Sequence, residues 1–180
     1  MKVIKSLIVI TVTLLTAAII YIYAGIYPMG ADVPHNKLSY WLLETLREQS
    51  VASAAKDISV PALDAPDLLL AGGADYNDMC AACHLKPGKE QSDMSIGLYP
   101  KPPNLSQQVT VNDDATQNSR RQFWIIKHGI KASGMPAWGP THDDERIWAM
   151  VAFLQKLPEL TPEQYQILTA RGESDASSHH

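Results

Sequence analysis

"DMCAACHLKPG", residues 78–88, holds both cysteines of the chain, Cys80 and Cys83, with His84 directly behind the second. A disulfide closed over two intervening residues removes little chain entropy, so "CAAC" is a poor structural staple. A thioredoxin-like dithiol needs a strand before the motif inside a βαβ pattern, and neither surrounds it. A structural zinc needs a second pair of ligands at matching spacing. The remaining histidines, at 35, 128, 142, 179 and 180, supply no such pair before the last two residues of the chain. What remains is C-x-x-C-H, in which each thiol adds across a haem vinyl group as a thioether and the histidine becomes the proximal ligand of the iron. Only three positions are fixed in that pattern, so its surroundings must agree with it.

They do on both sides. "DAPDLLLAGGADYNDMC" predicts a helix capped at Asp64 or Ala65, with Pro66 and Asp67 in its first turn, running toward the cysteines. Gly72 and Gly73 interrupt it at a cost of about 1 kcal/mol each against Ala, which points to a close crossing with another element. "THDDERIWAMVAFLQKLP" predicts a second helix, capped by Thr141, acidic in its first turn, carrying Lys156 in its last and stopped by Pro158. Ile147, Trp148, Met150, Val151, Phe153 and Leu154 recur in it at three-and-four spacing, which predicts a broad buried face.

Over about residues 67–160 these motifs resemble the class I c-type cytochromes. In that family a Gly eight residues before the first Cys, and an aromatic four before it, pack against an aromatic of the C-terminal helix. Gly72 and Tyr76 hold those positions, with Phe153 as the partner. The resemblance makes "GMPAWG", residues 134–139, the loop that brings Met135 to the other face of the haem as sixth ligand. It makes "PPNL" the proline loop, in which the carbonyl of Pro103 accepts the Nδ1 proton of His84, with Pro102 as the rival. The long stretch "LKPGKEQSDMSIGLYPK" between His84 and that loop departs from the family pattern.

Met79, Met94 and Met150 compete with Met135 for the iron, and Met135 is favoured because Gly134 lets the backbone turn and Pro136 stiffens the turn. His128, on the helix "FWIIKHGI", reads as a surface residue, with ligation as the minority option. Leu105 and Ile130, with Leu98, Ile125 and Ile126, are candidates for the apolar wall, and Trp124, Trp138 and Tyr99 for the larger packing pieces.

The expectation is an all-α cytochrome c fold of about four helices around one haem c, held by two thioethers, with His84 and Met135 on the iron. An iron closed on both faces implies single-electron transfer between a protein donor and a protein acceptor, not an enzyme with a small-molecule substrate. The rival readings are a haem-bearing docking subunit of a larger oxidase or dehydrogenase complex, and a haem peroxidase or sensor with an open iron.

Upstream, "SLIVITVTLLTAAIIYIYAGIY", Ser6–Tyr27, is followed by no charge until Asp32. As a helix it spans about 30 Å, the thickness of a bilayer's hydrocarbon. It is longer than the apolar core of a cleavable signal, and a cut after Ala24 would put bulky Ile22 where a small residue belongs, so an uncleaved anchor is favoured. Lys2 and Lys5 precede the span, which leaves the N-terminus in the cytoplasm and the rest outside: a single-pass inner-membrane protein with a periplasmic haem domain in a Gram-negative host.

Between anchor and haem domain, "DVPHNKLSYWLLETLREQSVASAAKDI" predicts an amphipathic helix over residues 36–57, with Leu38, Trp41, Leu42 and Leu46 on one stripe. The membrane, a partner subunit and the chain's own domain are all open as its cover, the last as default. "TPEQYQIL" predicts a short helix behind Thr161, and "RGESDASSHH" a disordered tail in which His179 and His180 have no assigned function. The expected divisions are 1–30 anchor, 31–66 amphipathic helix and connector, 67–160 cytochrome c domain, and 161–180 short helix and tail. A net charge of −4 over 180 residues, with no nucleic-acid motif, argues against a phosphate-backbone partner. Lys86, Lys89, Lys101, Arg120, Arg121, Lys127 and Lys131 gather against Glu90, Asp93, Asp113 and Asp114, either as a docking patch for an acidic redox partner or as a solvated mixture.

Overall fold

Helices make up all the regular structure of the computed structural model, which describes residues 2–107 and 114–171. The predicted disordered tail beyond Arg171, with His179 and His180, lies outside the described residues, as does Asp113. The chain forms two units, the first ending at Pro34 and the second beginning at His35.

The first unit carries α1, Lys2–Tyr23, a helix with no buried residue and enough length and apolar composition to cross a membrane. Inside its apolar run, the Thr13 hydroxyl donates back to the Val9 carbonyl at 2.9 Å, so this polar group is satisfied within the helix.

The second unit begins with α2, Lys37–Ala55, capped by Asn36, whose side chain accepts from the Ser39 N–H. α3, Pro66–Asp75, runs through a widened turn at Tyr76–Cys80 into the short α4, Ala81–His84. α5, Asp93–Gly97, opens on a capping box of Ser92 and Ser95. α6, Ala115–His128, is capped by Asp114. α7, Asp144–Lys156, and α8, Pro162–Leu168, complete the unit, the latter behind the expected Thr161 cap, to which the structure adds a reciprocal bond from the Gln164 side chain.

α7 is the axis of the core: every residue from Ile147 to Leu154 is buried. α3 crosses it at Gly72, where a Cβ would stand 2.0 Å from the Ala149 carbonyl oxygen, so only hydrogen fits between the two backbones. Phe153 packs one turn further along, its ring 5.4 Å from that of Tyr76, so the two family positions meet different parts of α7. Phe123 stacks on Trp148 at 4.2 Å and docks α6 on the same helix. Asp75, buried in the α3–α7 seam, accepts two hydrogen bonds from Arg146, at 2.6 and 2.8 Å, and a longer one from Arg171. A carboxylate so far from water needs such partners.

Two local expectations are corrected. α7 is capped by Asp143, which accepts from the Arg146 N–H at 2.9 Å, and not by Thr141, whose hydroxyl bonds Trp138 and His142 one turn earlier. Asp143 prevails because its carboxylate also meets the positive helix N-terminus. The apolar stripe of α2 does not pack on the domain. α2 is held through its other side: Arg121 grips both oxygens of Glu48, Arg120 donates to the Lys56 carbonyl, and Val51 and Ala55 are buried.

Candidate functional site

The widened turn ends with the Ala81 N–H bonded to the Tyr76 carbonyl, five residues back. Such π turns are uncommon and recur at functional sites. Here it sits immediately before the C-x-x-C-H residues. α4 then stops at Leu85, a non-glycine residue at φ 68°, and the Tyr76 hydroxyl donates to the Leu85 carbonyl at 2.6 Å to hold that exit. Burial pushes the Tyr76 phenol far above its ordinary range, so it stays a donor.

Cys80, Cys83 and His84 face a cavity of about 780 Å³, and the two thiols are not joined to each other. Burial, reinforced by Asp75 and Cys83, pushes the Cys80 thiol up to about 12, the opposite of the lowered value that marks a redox dithiol. His84 Nδ1 lies 3.0 Å from the Pro103 carbonyl. A carbonyl only accepts, so Nδ1 carries the proton and Nε2 keeps its lone pair. Burial lowers the His84 pKa against the opposing pull of that bond, which favours the neutral ring. The Leu105 N–H bonds the His84 carbonyl at 3.0 Å, so the proline loop is fastened to the histidine through both backbone and side chain. Of the two prolines, Pro103 is the one bonded, while Pro102 lines the cavity without that contact.

Met135 reaches the same cavity from a loop folded back on the end of α6. The Ile130 N–H bonds the Met135 carbonyl, the Met135 N–H bonds the Ser133 hydroxyl, and Trp138 and Gly139 return to the carbonyls of Ile126 and Lys127. Gly129 makes the turn possible: it sits at φ +65°, and a Cβ there would stand 2.7 Å from the Ala137 nitrogen.

Leu105 and Ile130 line the cavity with Leu98, Ile125, Ile126 and Trp138, whereas Trp124 and Tyr99 stand outside the lining. Tyr99 instead accepts a hydrogen bond from the His35 N–H at 3.1 Å. Among the other methionines, Met79 also lines the cavity, Met94 is exposed, and Met150 is locked in the core. His128 is exposed, 4.9 Å from the Trp124 ring. The unusual insertion folds as α5, and the Ser92 hydroxyl ties it to the Ala82 carbonyl at 2.5 Å.

Sequence reasoning missed one wall. Tyr40, Glu44, Arg47 and Glu48 of α2 line the cavity, as does Arg121 of α6. The only signal was the three-and-four spacing of Glu44, Arg47 and Glu48 on the polar side of α2. The basic set is also less free than its sequence suggests: Arg121 is paired with Glu48 and Lys127 with Asp144.

The donors converging here are two thiols, an imidazole with a free lone pair and a thioether, in a largely apolar space of the size that holds a large ligand. Among the described residues no group of three or more Cys, His, Asp and Glu side chains forms a metal cage. The two thiols, the imidazole, the thioether and the apolar lining suit haem c. A helical unit built on the α3–α7 crossing, with C-x-x-C-H opening on such a cavity, is a c-type cytochrome domain. Residues 67–154 match the family model described as cytochrome c oxidase, cbb3-type, subunit III, so this stretch is a haem-binding, electron-transferring cytochrome domain, and α1 and α2 lie outside the match. No curated protein and no solved structure matches the chain.

Proposed function

We propose that the chain is a membrane-tethered mono-haem cytochrome that passes single electrons between a protein donor and a protein acceptor, with no substrate chemistry of its own. The supporting observation is the convergence of Cys80, Cys83, His84 and Met135 on one cavity, with His84 Nδ1 already engaged by Pro103. Haem c, when bound, supplies a one-electron iron couple. Cys80 and Cys83 would hold it through thioethers, and His84 Nε2 and the Met135 sulfur would be its iron ligands.

Pro103 keeps the imidazole in one tautomer and orientation. Leu105 and Ile130 exclude water, and with a neutral thioether this raises the reduction potential. With both ligands in place no position would be left open for a substrate. α1 serves as the anchor, and Lys2 and Lys5 before it support an orientation with the haem domain on the outer, periplasmic face.

The family description favours one second reading, a haem-bearing subunit whose relay works inside an oxidase assembly. Co-purification of stoichiometric oxidase subunits from detergent extracts would select it.

Covalent attachment is the first thing to test. Denatured wild-type protein should keep haem stain on a gel, and Cys80→Ser combined with Cys83→Ser should abolish it. Stain retained by the double variant would overturn the assignment.

A further inference from the structure

α2 wears its side chains the opposite way from a helix packed on its own domain. Glu44, Arg47, Glu48, Val51 and Ala55 turn inward, with Arg121 closing on Glu48 at 2.7 Å and Arg47 bonding Glu44 and Glu48. Leu38, Trp41, Leu42 and Leu46 point the other way and are 71%, 60%, 57% and 65% exposed. At 100° per residue these four share one face with Thr45, Gln49, Ala52 and Ser53, and no charged residue falls on it. Leaving that much apolar surface in water is unfavourable, so the face calls for a cover.

The length of the chain indicates what covers it. α1 ends at Tyr23 and α2 begins at Lys37. The connector of residues 24–36, fully extended, reaches at most roughly 45 Å. Any bilayer that holds α1 therefore stays within reach of α2, at an effective concentration that a dissolved partner does not match. An uncharged face of leucines with one tryptophan suits the boundary between headgroups and acyl chains, and it carries no acidic group for an anionic leaflet to repel.

We propose that α2 lies along the membrane surface, with Leu38, Trp41, Leu42 and Leu46 seated in that boundary, while its polar side holds the haem domain through the Glu48–Arg121 pair. The helix is then a two-sided adaptor that sets how the haem cavity is presented relative to the bilayer. The proposal rests on the reading of α1 as an anchor.

The haem-loaded full chain, reconstituted in nanodiscs of phosphatidylcholine and phosphatidylglycerol containing a phospholipid with a diazirine in its acyl chain, tests both separately. After irradiation, mass spectrometry should find lipid adducts in α1 and also on peptides covering residues 37–47. Leu42→Glu combined with Leu46→Glu should remove most of the α2 adducts, with those of α1 and the haem absorption spectrum unchanged. A labelled α1 with a bare α2 overturns this proposal alone, and an unlabelled α1 overturns the anchor beneath it. Two chains per particle with α2 bare would assign the face to a second copy instead.

Discussion

In α7 the apolar positions Ile147, Met150, Val151, Phe153 and Leu154 are buried, and the ends carry the charge. In α2 the apolar positions Leu38, Trp41, Leu42 and Leu46 are more than half exposed, and the side turned to the domain carries Glu44, Arg47 and Glu48. Each helix follows the same periodicity rule, so the difference lies in what faces them. α7 meets a glycine-thinned helix at Gly72, the Tyr76 ring, and Phe123 stacked on Trp148. α2 meets α6 where α6 offers Arg121 and Arg120, which suit a carboxylate and a carbonyl. An amphipathic stripe shows that a face needs covering, and only the neighbour shows by what.

The comparison breaks or sharpens most strongly on truncation. Phe153→Ala should cost about 4 kcal/mol, as a fully buried aromatic leaves a cavity beside Tyr76. Leu42→Ala, on the open face of α2, should stay within about 0.5 kcal/mol. Urea unfolding of the full chain in detergent, followed by circular dichroism, measures both. A Leu42 loss approaching that of Phe153 would mean that the α2 face packs on its own domain.

Next in size is Gly72→Ala, which should destabilise by about 2 kcal/mol because the new methyl meets the Ala149 backbone. In an open helix the same change stabilises by up to about 1 kcal/mol, so the sign alone tests the crossing.

The smallest effect concerns the polar side of α2. Burial raises the Glu48 carboxyl, but hydrogen bonds and charges from Arg121 and Arg47 outweigh it and leave the pKa lowered. A carboxylate lowered on folding adds stability that is complete above its ordinary value of 4.5 and is lost as the pH falls below it. With a third of the side chain in solvent, the contribution should be under about 1 kcal/mol. The stability gap between wild type and Glu48→Gln should therefore close on acidification. A gap that persists well below that value would show that the Arg121 contact is not a charge pairing.

Much of this molecule is written in short runs. Cys80, Cys83 and His84 stand together because five consecutive residues on a helical turn leave little choice, and Thr161, Pro162 and Gln164 specify a helix start within one turn. The paired glycines announced a close crossing before any partner was known, because Gly in a helix interior persists against its conformational cost only where a Cβ would not fit. Thr141 and Asp143 both precede an acidic turn, and only the turn geometry selects Asp143 as the cap of α7.

What the sequence determined by itself is therefore local: the helical class, the apolar span of α1, the C-x-x-C-H motif and the stripe on each helix, all encoded within a few turns of chain. The tertiary structure decided the rest. It chose the Pro103 carbonyl over that of Pro102 for a histidine 19 residues away, gave α2 its inward face through an Arg–Glu pair 73 residues apart, and walled the cavity with residues far from the motif. These choices escape the sequence because each is a competition between near-equivalent groups. Pleat, period and cap chemistry do not distinguish them, and the winner depends on distances set only when remote segments meet.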